Sequence, residues 1–355
     1  MEGNLKMKKI LTTLCAVAML AGCTAGGSKK SSTNTASTKE ETAATVMVGT
    51  GSVTNVSNKA KEGSDTAAQF DTTFASVVLE GNVIKYVYFD VAQDKVTYDA
   101  TGHVTSDNTA STSKKALGDK YGMKDKSSIK KEWYEQVEVL EKWAVGKTVE
   151  EVLNMPTTQK DEKHTVSADK DLMTGCTIGV TAFQQALDKA AKNAVEVKDV
   201  ASVGSAILTQ VSGKDASAEK SGEAKASSTY GVVALDKDGK VVFTQTDVAQ
   251  NAVKFTTAGV VDGEAVAVAT KGEKKDEYGM KKVSSIGKEW FEQNQAYDDW
   301  TVGKTGKEIA DMKVTTNEGG KTVTADKDLM TGCTIGVDSL QKVTTTAIEA
   351  ATKLN

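Results

Sequence analysis

The chain of 355 residues repeats itself at an offset of 157. That offset sets Tyr121-Gly122-Met123-Lys124 on Tyr278-Gly279-Met280-Lys281, Trp133 on Trp290 and Trp143 on Trp300. It also sets Val145-Gly146-Lys147-Thr148 on Val302-Gly303-Lys304-Thr305, and Asp90-Val91-Ala92-Gln93 on Asp247-Val248-Ala249-Gln250. A period this long excludes a solenoid and predicts two tandem copies of one domain. On this single offset the copies span residues 70–211 and 229–355, each large enough to bury its own core. The stretch 212–228 between them reads as a linker. Residues 24–69, rich in Ser, Thr, Lys, Gly and Ala without apolar periodicity, read as a disordered, flexible tether with a reach of roughly 35–40 Å.

Within a copy, Val83–Val91 and Lys95–Tyr98 carry the β-branched and aromatic residues of strands, and Asp238-Gly239 between Leu235 and Val241 signals a hairpin. Ser128 can cap a helix on which Ile129, Trp133, Val137 and Leu140 share a face. Thr148 with Glu151, and again Thr305 with Glu308, has the capping-box pattern of a short second helix. A strand near Thr165–Ser167 and a terminal helix bearing Phe183, Leu187 and Ala191 complete an α+β domain.

The N-terminal segment reads as an address. Lys6, Lys8 and Lys9 precede an apolar run, Ile10–Leu20, too short to cross a bilayer of about 30 Å as a helix. Residues 1–22 therefore have the form of a signal peptide, with Met1 or Met7 as the start. The run ends in Leu20-Ala21-Gly22-Cys23, which resembles the lipobox of bacterial lipoproteins. The resemblance implies that Cys23 is lipidated and anchors the chain to a membrane; two or more acyl chains would make that anchor stable.

Composition now narrows the chemistry. With 44 Lys and Arg against 48 Asp and Glu, nothing suggests nucleic-acid binding through a basic surface. Only 2 His and 4 Cys are present, with no Cys-x-x-Cys pair and no His pair at helical spacing, so metal and haem sites have few ligands to draw on. Cys15 falls in the signal and Cys23 in the lipobox, which leaves Cys176 and Cys333, one in each repeat.

Both cysteines lie in a segment of unusual identity. Residues 168–180, Ala-Asp-Lys-Asp-Leu-Met-Thr-Gly-Cys-Thr-Ile-Gly-Val, recur letter for letter at 325–337, whereas residues 156–164 share only Thr158 with 313–321. Recent duplication alone does not give such contrast; a shared constraint on the identical stretch does. Its core, Asp171-x-x-Thr174-Gly175-Cys176-Thr177 and Asp328-x-x-Thr331-Gly332-Cys333-Thr334, resembles the flavinylation motif of FMN-binding domains. In that family the last Thr is joined through its hydroxyl to the phosphate of FMN by an ApbE-type flavin transferase. The resemblance implies two covalent FMN groups, on Thr177 and Thr334, with Asp171 and Asp328 recognised by the transferase. The family's usual Ala is here Cys176 and Cys333, which leaves a redox or modified thiol open. A hydroxyl nucleophile needs an accessible turn, and Gly175 and Gly332 can let the backbone approach the donor closely. Tyr121 and Tyr278, beside Gly122 and Gly279, are the favoured flavin neighbours, while Trp133, Trp290, Tyr134 and Phe291 at helical spacing read as core. His103 and His164 read as surface residues, and the Lys runs near 124–131 and 271–275 as solvated faces able to neutralise a phosphate.

Lipobox, tether and doubled motif together resemble the extracellular electron-transfer lipoproteins of Gram-positive bacteria, of PplA type. That resemblance implies a carrier on the outer face of the cell membrane. It would take electrons from membrane quinol reduced by a type II NADH dehydrogenase and pass them to acceptors such as ferric iron. Two other classes compete: a non-redox surface lipoprotein binding a cell-wall component or solute, and an extracytoplasmic reductase. For the last, no Ser/His/Asp set, paired catalytic carboxylates or metal cluster recurs with the repeat.

Overall fold

A computed structural model describes residues 45–61, 64–108 and 111–354, all within one compact unit. The signal peptide, Cys23 and the tether up to residue 44 lie outside the described residues.

Strands β1 (Val46–Lys61), β2 (Ser64–Glu80) and β3 (Val83–Tyr98) open the fold. The single turn α1 (Lys114–Leu117) then runs into a 3-10 turn over Gly118–Tyr121. Helices α2 (Trp133–Ala144) and α3 (Val149–Leu153) precede a small hairpin, β4 (Thr157–Asp161) and β5 (His164–Ser167). The short α4 (Lys170–Met173), α5 (Thr181–Lys192) and β6 (Val195–Val197) close the first half. The same succession then runs again. Strands β7 (Ser202–Lys214), β8 (Gly222–Leu235) and β9 (Val241–Phe255) lead to α6 (Lys271–Lys274) and a 3-10 turn over Lys275–Tyr278. Helices α7 (Trp290–Thr301) and α8 (Gly306–Ala310) and the hairpin β10 (Val314–Thr316)/β11 (Thr322–Thr324) follow. Helices α9 (Lys327–Met330) and α10 (Asp338–Glu349) and strand β12 (Thr352–Lys353) complete it. Two antiparallel sheets result, ordered β3-β2-β1-β6 and β9-β8-β7-β12. The class is α+β.

Alternation along the strands sorts the chain into four layers. In β2, Ala75, Val77 and Leu79 face a core built with Trp133, Val137 and Leu140 of α2 and Phe183, Ala186, Leu187 and Ala190 of α5. The intervening Ala68, Phe70, Phe74 and Val78 face the other sheet, meeting Val211, Ala224, Ala226, Tyr230 and Val232. The order is helix, sheet, sheet, helix, and each sheet is covered on both faces.

Contacts between the sheets are reciprocal. Tyr98 stacks on its own equivalent, Phe255, with ring centroids 3.8 Å apart, and Phe74 meets its equivalent Tyr230 at 5.3 Å. A Cβ on Gly102 would lie 2.7 Å from Thr256 O, and one on the equivalent Gly259 would lie 2.4 Å from Asp99 O. Equivalent residues meeting each other in this way is the signature of an isologous, two-fold interface, here within one chain.

Two expectations are corrected. Of the predicted tether, residues 46–61 are strand β1 and residues 64–69 the start of β2, and the predicted linker 212–228 belongs to the β7–β8 hairpin. Their Ser and Thr read as tether but serve the sheets: Thr50 Oγ donates to Ala75 O at 2.8 Å, Thr54 Oγ lies 3.0 Å from Thr72 Oγ, and Ser227 Oγ accepts from Gln250 Nε2 at 3.0 Å. The repeat also begins earlier than residue 70. Each of the first two hairpin connections is one residue longer in the second half, so the offset steps from 155 on the first strand to 157 on the third. At 155, Val48-Gly49 falls on Val203-Gly204, Thr54 on Thr209, Val56-Ser57 on Val211-Ser212 and Lys59 on Lys214.

The helix expected to start at Ser128 starts at Trp133 instead. Lys130 takes a left-handed φ of 52°, and Glu132 and Glu135 form the capping box. The capping boxes at Thr148/Glu151 and Thr305/Glu308 stand where the sequence places them.

Candidate functional site

The identical segment folds into the same turn in both halves, leaning on α2 or α7. Asp169 caps α4 by accepting from Asp171 N (3.0 Å) and Leu172 N (2.9 Å); Asp326 does the same for α9. Thr174 ends the helix, its hydroxyl donating to Asp171 O at 2.8 Å, as Thr331 does to Asp328 O. The chain then turns inward. Gly175 and Cys176 both donate to Leu172 O, and a Cβ on Gly175 would stand 2.8 Å from Val139 Cγ1 and 3.3 Å from Lys131 Nζ. On Gly332 it would stand 2.8 Å from Ala296 Cβ. The glycine therefore serves the packing of the turn on the helix, whereas the sequence suggested approach to a donor.

Cys176 and Cys333 point into the two cores and are 1% and 0% exposed. Burial pushes both thiols up to about 11, far from the thiolate character a redox or nucleophilic cysteine needs. In this position each cysteine is a small apolar residue.

Thr177 and Thr334 are half-buried, and a buried glutamine holds each of them. Thr177 donates its N–H to Gln136 Oε1 at 2.9 Å and its Oγ–H to the same oxygen at 3.2 Å; for Thr334 and Gln293 the distances are 2.8 and 3.0 Å. The amide nitrogen of Gln136 donates to Ser127 Oγ (3.2 Å) and Lys131 O (3.1 Å), that of Gln293 to Ser284 Oγ and Lys288 O. The orientation is forced. A backbone N–H only donates and a carbonyl only accepts, so Oε1 must face Thr177 and Nε2 must face Lys131. Glu132 and Glu289, both buried, tie down the preceding loop by accepting from Met123 N and Lys124 N, and from Met280 N and Lys281 N.

Cations surround the turn. Lys131 and Lys288 approach Gly175 and Gly332, and Lys160 Nζ donates to Thr177 O at 3.1 Å. Asp171, Met173 and Thr174, like Asp328, Met330 and Thr331, are exposed. Tyr121 and Tyr278 stand apart from the Thr–Gln network. They pack on Trp133 and Trp290 at 6.5 and 6.4 Å, beneath Lys114 Nζ and Lys271 Nζ respectively. Burial pushes the Lys271 ammonium down to about 8. Trp133 and Trp290 are core, and His103 and His164 lie on the surface beside Asp215 and Asp161.

One cleft, of about 510 Å³, is lined by Ser52, Thr54, Lys189, Thr270 and Glu273. The other, of about 460 Å³, runs past Trp143, Pro156 and Asp169. Neither is lined by Thr177 or Thr334. Among the described residues, no group of three or more His, Cys, Asp or Glu is placed to hold a metal ion.

Sequence reasoning missed Gln136 and Gln293. The signal was available: Lys131-Glu132-Trp133-x-Glu135-Gln136 recurs as Lys288-Glu289-Trp290-x-Glu292-Gln293, with a polar residue kept on the buried side of an amphipathic helix in both copies. The chain matches no protein-family model, no curated protein and no solved structure.

Proposed function

We propose that the chain is a lipid-anchored electron carrier made of two tandem FMN-binding-type domains, each bearing FMN joined through its phosphate to Thr177 or Thr334. The observation that carries this reading is one turn built identically twice, with the threonine half-buried and the cysteine beside it fully buried. A structural turn into α5 or α10 requires the buried residues of the segment. It gives no reason for the exposed Lys170, Asp171 and Met173 to be repeated unchanged as Lys327, Asp328 and Met330. An external partner that reads both turns does give one, and an ApbE-type flavin transferase is a partner of that kind.

The residues present suit the group. The threonine is only half-buried, Lys131 and Lys160, or Lys288, lie where a phosphodiester's charge would be neutralised, and no thiolate competes for modification. Bound FMN would supply reversible one- and two-electron chemistry; the chain's part is to hold its phosphate at a fixed point on each half. With Cys23 lipidated, the carrier would stand on the outer face of the cell membrane. There it would receive electrons from quinol reduced by a type II NADH dehydrogenase and deliver them to extracellular acceptors such as ferric iron.

Intact-mass and absorbance measurements on protein made in a host with the flavin transferase test the reading. Two FMN additions and a yellow protein are expected, with Thr177→Val and Thr334→Val each losing one. A colourless chain of unmodified mass refutes the carrier and leaves the non-redox surface lipoprotein, binding a cell-wall component or solute, as the reading to pursue.

A further inference from the structure

We infer that Gln136 and Gln293 are positioning residues for flavin attachment: each draws the threonine O–H inward and so turns the oxygen lone pairs out of the fold, towards an incoming donor. The inference rests on the flavin reading above and adds the group that prepares the acceptor.

Three features carry it. Gln136 and Gln293 are 1% and 0% exposed, so water does not compete for their oxygens. Each side-chain oxygen takes both polar hydrogens of its threonine, which fixes the backbone and the side-chain rotamer together. The amide nitrogen is anchored on the far side by a serine hydroxyl and a lysine carbonyl, so the oxygen cannot turn away. With its hydrogen held inside, the hydroxyl presents only lone pairs to the surface. A freely rotating hydroxyl would spend much of its time in other orientations, and loss of such alignment costs reaction rates of the order of ~10²-fold.

The step being prepared balances with a flavin dinucleotide as donor. Thr177 Oγ forms a bond to the flavin-side phosphorus, and the bond from that phosphorus to the bridging oxygen breaks. AMP departs with the electron pair of that bond. An amide oxygen is too weak a base to keep the hydroxyl proton; as the oxygen–phosphorus bond forms, the O–H swings out of its bond to Gln136 and the proton passes to a base of the transferase or to solvent. Nothing is oxidised or reduced.

The test uses the whole chain with the transferase and a flavin dinucleotide, following modification of Thr177 and Thr334 separately by peptide mass spectrometry. Thr334 in the same molecule is the clock for Thr177. Gln136→Leu is expected to slow Thr177 by about 10²-fold while Thr334 keeps its rate, and Gln293→Leu to do the reverse. Gln136→Glu, which keeps an acceptor oxygen for Thr177 but loses the donor to Lys131 O, is expected to stay within about tenfold of wild type. Ser127→Ala removes only the anchoring side and should leave the rate within about threefold. If Gln136 acted only by pinning the loop through its nitrogen, Gln136→Glu would fail as badly as Gln136→Leu; that result, or Gln136→Leu modified at the wild-type rate, overturns the inference alone. A wild-type chain left unmodified at both threonines overturns the flavin reading and this inference with it.

Discussion

Gly204 offers a sharp test of how the second half is packed. It lies on β7 beneath α10, and a Cβ there would stand 1.8 Å from Ala347 O and 2.9 Å from Ala351 Cα. Ordinary contact begins near 3.4 Å, so Gly204→Ala must lift the helix by roughly 1.6 Å. No flexible side chain can absorb this, because the obstructing atoms are backbone. Lifting α10 loosens Val343 and Ala347 from Val233, Leu235 and Ile309. A gap of that size forfeits a large part of the dispersion energy across the contact, which puts the cost at the upper end of the overpacking range, about 3 kcal/mol. The equivalent Gly49 meets Ala190 O at 2.3 Å and Ala194 Cα at 2.6 Å, a smaller shortfall for which about 2 kcal/mol is expected. Gly239, in the β8–β9 turn with φ 76° and open space around it, isolates the backbone term at about 1 kcal/mol. Urea unfolding followed by tryptophan fluorescence ranks the three, with a midpoint loss for Gly204→Ala on the order of 1 M at a slope near 3 kcal/mol/M. Gly204→Ala no more costly than Gly239→Ala would refute the close docking of α10 on β7.

Other expectations follow from the buried ionisable groups. Asp298 on α7 accepts from Thr246 N at 3.0 Å and Thr246 Oγ at 2.7 Å, and burial pushes its carboxyl well above the usual range. A carboxyl raised on folding binds its proton more tightly in the native state, so stability falls as pH rises from the unfolded value near 4 towards the native one. Asp298→Asn should therefore gain on wild type in melting temperature between pH 4 and pH 8; a gap that does not change with pH contradicts this. With thiols near 11, Cys176 and Cys333 are only about 0.1% thiolate at pH 8, and burial shields them further. Peptide mapping after treatment with an aromatic disulfide should find both unlabelled in native protein and labelled in denaturant; rapid native labelling would restore the redox-thiol alternative.

Elements whose determinants are local were legible in the sequence. Thr148 with Glu151, Asp238-Gly239 in its turn, and Phe183 and Leu187 on one face each state their structure within a few residues. The long strands β1 and β7 were not. Their inward residues include Thr50, Ser52, Ser205 and Thr209, and the last two find their partners, Ser76 and Asp94, across a sheet interface that no local pattern reveals. Ser and Thr in such numbers read as solvated chain until the partner is in view. The threonine at the centre of the site was legible through repetition, but its glutamine was not, because a polar residue on a helix reads as solvent-facing by default. The packing role of Gly175 was not legible, because its missing side chain admits Val139, a neighbour 36 positions earlier in the chain.

A symmetric dimer writes each substitution twice at its axis, whereas a fused pair writes it once. Residues 198–201 join β6 to β7, so each position at the seam between the two sheets occurs once in this chain. Its interface has used that freedom. Ser76 meets Ser205, but their equivalents are Val232 and Thr50; Tyr86 reaches Ser205, but its equivalent is Phe243; Asp94 receives Thr209, but its equivalent is Asn251. None of these one-sided arrangements is open to two identical subunits. Fusion also fixes the local concentration of each half around the other, so dilution no longer separates them. The halves also hold unlike charges behind turns that stay the same: Glu141 pairs with Lys115 at 2.6 Å, whereas at the matching positions of the second half Asp298 accepts from Thr246 and residue 272 is Gly.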